Sequence, residues 1–69
     1  MDTFETGQTF RVLTLESGSQ YVVGDGEYQA KKIECVMENG EMAAVAWFVV
    51  TNTDGHEIKI NGKYVESIS

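Results

Sequence analysis

Apolar and polar positions alternate in short runs along this chain, and glycine-bearing turns separate the runs. The turn signals are Ser17-Gly18, Gly24-Asp25-Gly26, Asn39-Gly40, Asp54-Gly55 and Asn61-Gly62. Between them lie Thr9–Glu16, Gln20–Val23, Ala30–Met37, Glu41–Thr51, Glu57–Ile60 and Lys63–Ile68, rich in valine, isoleucine, threonine and aromatic residues. Such runs, bounded by such turns, predict strands joined by hairpins. One segment, 27–38 (EYQAKKIECVME), also reads as a short helix, because Ala30, Ile33 and Met37 fall on one helical face. The strand reading is preferred. Ile33, Cys35 and Met37 alternate with Lys32, Glu34 and Val36, and Asn39-Gly40 wants a strand before it.

A two-residue Asn39-Gly40 loop sets a register in which Met37 pairs Met42, Cys35 pairs Ala44, Ile33 pairs Ala46 and Lys31 pairs Phe48. That face is apolar and points inward. The other face sets Glu34 beside Val45 and Lys32 beside Trp47, where a cation–π contact is expected. In the first hairpin Leu13 is expected opposite Val22. Strands with apolar residues on both faces, in so short a chain, predict an all-β fold. Its form is a small five- to six-stranded antiparallel barrel or sandwich built from hairpins. Residues 1–8 are expected as a flexible N-terminal segment, and 9–69 as a single small β domain.

Composition narrows the chemistry. With one cysteine in 69 residues no intrachain disulfide forms, and Cys35 and His56 stand alone as soft metal ligands. Cys35 alternates with Ile33 and Met37, so it reads as a buried, inert thiol. The opening MDTFETGQTF has neither the basic nor the apolar region of a secretory signal. The longest apolar run, Met42–Val50, is too short to cross a bilayer as a helix. With an unpaired thiol, these features point to the cytoplasm and to no membrane partner. The cluster TNTDGHE (51–57) lacks a nucleophile and a full ligand set, so it reads as a turn. Gly24-Asp25-Gly26-Glu27 lacks the lysine of a phosphate loop. No enzyme and no cofactor are expected.

Charge carries the functional reading. Eleven acids against five bases give a formal charge of −6, which argues against direct nucleic-acid binding. In the stretch MENGEM (37–42) a two-residue loop sets Glu38 opposite Glu41, and a two-residue Asn61-Gly62 loop sets Glu57 opposite Glu66. Like charges directly opposite repel. Strand neighbours two apart lie about 6.6 Å from each other and adjacent strands about 4.8 Å, so a sheet can present carboxylates in rows. A surface of that kind substitutes for the closely spaced charge of DNA. The candidate partner-binding residues are therefore Glu34, Glu38, Glu41, Glu57 and Glu66, aided by Asp25, Glu27 and Asp54. Trp47 serves as an apolar anchor for that contact or for a homodimer.

In size, acidity and lack of a catalytic motif, the chain resembles small phage-encoded host-takeover proteins that mimic DNA, including inhibitors of the nucleoid protein HU. The resemblance is one of type across all 69 residues and carries over no individual residue. It implies a basic host DNA-binding protein as partner, no cofactor, and inhibition by occupancy. The other expectation is an SH3-like interaction module that binds a peptide in an aromatic groove or a strand at an exposed edge.

Overall fold

The alternating runs become strands. The computed structural model describes residues 4–69, which form β1 (Thr9–Phe10), β2 (Val12–Leu15), β3 (Gln20–Val22), β4 (Ala30–Asn39), β5 (Ala44–Asn52), β6 (Glu57–Asn61) and β7 (Val65–Ile68). A single 3₁₀ turn, Gly62–Tyr64, links β6 to β7. Segment 27–38 is not a helix: β4 occupies it from Ala30 onward, because period-two burial of Ile33 and Cys35 outweighs helix propensity.

The strands make two antiparallel sheets, ordered β1-β4-β5-β6 and β3-β2-β7, packed as an open sandwich rather than a closed barrel. Seven strands replace the expected five or six because the run 9–16 breaks at Arg11. Its first half joins the larger sheet and its second half the smaller. The sheets are stitched together on this side, where Val23 donates its N–H to the Arg11 carbonyl and bridges Ala30 in parallel. On the far side β6 and β7 are the outermost strands, joined through the 3₁₀ corner.

Leu13, Ile33, Cys35, Phe48 and Val50 are fully buried between the sheets, with Ala30 and Ile60 beside them. Phe4, Phe10 and Phe48 meet edge to face, with ring centroids 5.4 to 5.9 Å apart. Of the expected N-terminal segment 1–8, residues 1–3 lie outside the described residues. Phe4–Gln8 are tied along β4. Gly7 donates to the Cys35 carbonyl, Cys35 donates to the Gln8 carbonyl, and Met37 donates to Thr6 Oγ1.

The main hairpin departs from the expected register. Cys35 pairs Phe48, Ile33 pairs Val50 and Met37 pairs Ala46, so the connection spans four residues, Gly40–Ala43. Neither Asn39 nor Gly40 takes a positive φ, so no type I′ turn forms. The longer loop places Phe48 and Val50 in mid-sheet, whereas a two-residue loop would set Ala44 and Ala46 there and Phe48 against Lys31. Fully burying a Phe or Val gains about 1.5–3 kcal/mol each, more than a turn preference supplies. The shift is even, so inward residues stay inward. Lys31 becomes the bulged residue between Ala30 and Lys32. In the first hairpin Leu13 pairs Tyr21, one residue from expectation.

Candidate binding surface

The outer face of the larger sheet can be read row by row from its register. Lys32, Thr51 and Glu57 share one row; Thr9, Glu34, Val49 and Lys59 share the next. Val36, Trp47 and Asn61 follow, then Glu38 and Val45. Valines and Trp47 run down the middle, with charges of both signs at the flanks. Rows of carboxylate do not form here. Glu34 and Glu38 lie four residues apart, about 13 Å along the strand, against one charge per about 3.4 Å on each strand of DNA.

Two expected carboxylate pairs are absent for the same reason, the register. Glu38 faces Val45, and Glu41 sits in the exposed loop beyond. Glu57 belongs to β6 in one sheet and Glu66 to β7 in the other, because Asn61-Gly62 opens a corner rather than a hairpin. The Asn61 side chain shapes this corner by accepting the Lys63 N–H at 3.0 Å. Lysines neutralise part of the outer face: Lys59 pairs Glu38 at 3.0 Å and Lys32 pairs Glu34 at 3.4 Å.

Trp47 carries a lysine, but not Lys32. Lys59 Nζ lies 4.8 Å from the indole ring centroid as it reaches across to Glu38. Beside it, Lys63 Nζ lies 5.1 Å from the ring of Tyr64, which is about half exposed. A cleft of about 500 Å³ opens here, walled by Trp47, Tyr64, Leu15, Glu16, Ile60 and the two lysines. The sequence reading named Trp47 alone. Tyr64, Lys59, Lys63 and Glu16 were missed because they reach the cleft from β6, the corner and the end of β2. Pairing Glu57–Asn61 onto β5 across the Asp54-Gly55 turn would have brought Lys59 to Trp47.

Asp25, Glu27 and Asp54 gather at the opposite end of β4. Glu27 and Asp54 share a shallow groove of about 270 Å³ with Tyr28, Gln29, Asn52 and Thr53, and Asp25 lies two residues before Glu27 in the same loop. Asp54 accepts the His56 N–H at 3.1 Å and meets its ring at 2.8 Å. These bonds, the backbone one first, hold its carboxyl below the ordinary carboxylate value. Cys35 is buried among apolar side chains, and that desolvation pushes its thiol up. Among the described residues no three His, Cys, Asp or Glu side chains converge as metal ligands. Among them, too, no helix is long and apolar enough to cross a membrane.

A further groove lies between the sheets on the β6–β7 side. It measures about 730 Å³, floored by Phe4 and Phe48 and walled by Ala44–Ala46 on one side and Val65–Ile68 on the other. No family model matches this chain, and neither a curated protein nor a solved structure matches it.

Proposed function

We propose that this chain is a non-enzymatic protein-binding domain that takes a cationic side chain of a basic partner into the Trp47–Tyr64 cleft. The observation that carries the reading is that both aromatic faces already hold an ammonium group, at 4.8 and 5.1 Å. An arginine or lysine from a partner replaces these internal lysines on the rings, where a cation–π contact is worth about 0.5–2 kcal/mol. Glu16 lines the cleft and Glu38 lies within reach of Lys59, so carboxylates stand ready for the incoming charge. The net charge of −6 steers a basic surface toward the site. The test is capture from a nuclease-treated lysate by tagged protein, comparing wild type with Trp47→Ala and Tyr64→Ala. Loss of the captured protein in both variants, with their folds intact, is expected; undiminished capture by Trp47→Ala would refute the cleft.

Mimicry of DNA is the second reading, favoured by one observation. Asp25, Glu27, Glu41, Glu57 and Glu66 are exposed and make no ion pair among the described residues. On this reading the captured protein is a basic DNA-binding protein, released by high salt and displaced by added duplex. Charge reversal of Glu41 and Glu66 then weakens capture, while Trp47→Ala leaves it unchanged.

A further inference from the structure

Of the outermost strands of the two sheets, β6 is the longest, and its outer edge is open. Asn52 donates its N–H to the His56 carbonyl at 2.8 Å, which sets the phase of the β5–β6 ladder. Bonded positions alternate in an antiparallel pair, so Val50–Ile58 and Phe48–Ile60 are the bonded pairs that follow. The N–H and C=O groups of Glu57 and Lys59 therefore point away from β5. No other backbone of the described residues bonds them. Such a row of unpaired groups is a template for a further strand. The side chains along this edge are self-matching. Ile58 shares the inner face with buried Val50 and Ile60, yet it is itself exposed, because the smaller sheet stops short of covering it. Glu57 and Lys59 flank it on the outer face, one acid and one base, both exposed.

We infer that β6 is a self-association edge, which pairs antiparallel with β6 of a second copy about a two-fold axis at Ile58. A two-fold interface sets residue i against j and j against i. With the axis at Ile58, Glu57 of each copy faces Lys59 of the other in the bonded positions. Each of these symmetry-related pairs exchanges both main-chain bonds and sets opposite charges side by side. Ile58 meets Ile58 in the closely spaced pair between them. Neighbouring axes fail. An axis at Lys59 sets lysine on lysine, and one at Glu57 sets acid on acid. An axis at Ile60 would centre on a buried side chain and run into the Gly62 corner. Within one chain Lys59 leans over Trp47 to Glu38, and Glu57 of the second copy offers it a carboxylate on its other side. The net charge of −6 on each copy repels at long range, but salt screens that repulsion beyond about 8 Å, whereas the matched pairs meet in contact. The four-stranded sheets of the two copies then run on as one. A single strand edge is a small interface, so the association is weak and reversible. The inference stands apart from the binding reading above and does not need the Trp47–Tyr64 cleft.

The test is sedimentation velocity from micromolar to millimolar protein, with amide exchange by NMR at the same concentrations. Wild type is expected to pass from monomer to dimer, and exchange at Glu57 and Lys59 to slow at least about threefold. The Ile58 and Ile60 amides, already bonded to β5, should change little. Glu57→Lys and Lys59→Glu each set like charges across the axis, so each alone should stay monomeric. Mixed in equal amounts, they restore opposite charges in both pairs and should form a heterodimer. Glu66→Lys changes the net charge as Glu57→Lys does but leaves β6 intact, so it should dimerise like wild type. Trp47→Ala should also dimerise, so failure of the edge and failure of the cleft read out separately. A wild type that stays monomeric at millimolar concentration would overturn the edge. Dimerisation without slower exchange at Glu57 and Lys59 would overturn it too, as would folded charge variants that fail to pair when mixed.

Discussion

Replacing Phe4 by alanine tests whether the aromatic cluster holds the chain's start against the core. Phe4 is half-buried and meets Phe10 at 5.8 Å and Phe48 at 5.4 Å, both edge to face. Removing a fully buried Phe costs about 3–5 kcal/mol. Half burial scales that to about 2, and two edge-to-face pairs at about 0.5–1.5 kcal/mol each raise the expected loss to about 3–5. A domain of 69 residues has a total stability of roughly 3–10 kcal/mol. The variant should therefore lose a large share of its stability, with Tm falling by about 12–40 °C. Urea and thermal unfolding read the change. Phe4→Leu keeps most of the apolar area, so it should lose only about 1 kcal/mol. A double-mutant cycle of Phe4→Leu with Phe48→Leu should return a coupling of about 0.5–1.5 kcal/mol. A loss below about 0.5 kcal/mol in Phe4→Ala would refute the packing argument.

Three further outcomes follow from the same geometry. Gly62→Ala would set a Cβ 2.9 Å from the Ala46 carbonyl oxygen, backbone that yields little, so urea unfolding should show a loss of about 1–3 kcal/mol. Asp54 has its carboxyl held down in the folded state. Its stabilisation is complete above the unfolded value of about 3.9 and is lost as pH falls through the lower folded value. The stability gap between wild type and Asp54→Asn should therefore narrow as pH drops below about 4, and a widening gap would contradict the assignment. Cys35, buried and with its thiol pushed up, should resist maleimide in the native protein and react at the rate of unfolding.

The strands were legible because Ile33, Cys35, Val50 and Phe48 repeat at period two, and burial enforces that period directly. The registers were not. Asn39-Gly40 carries a strong local turn preference, but the fit of Phe48 between Phe4, Phe10 and Cys35 is a long-range property that no dipeptide encodes. Asn61-Gly62 failed in the same way. Whether Ile60 and Val65 share a sheet depends on which side of the core each must cover. The acidic site was inferred from those two turns, so its expected carboxylate pairs went with them. Trp47 was legible as a surface tryptophan. Its neighbours Lys59 and Tyr64 were not, because they arrive from elements whose pairing had been misread.

The break at Arg11 has a mechanical consequence. One continuous stretch of backbone serves both sheets there, and the Val23–Ala30 bridge lies alongside, so the sandwich is bound like a book along one spine. At the opposite margin the corner Gly62–Tyr64 is the covalent clasp between covers. With both margins joined by backbone, the two sheets cannot hinge apart like covers, and local opening has to start as fraying of the outer strands β6 and β7, each unpaired along one edge.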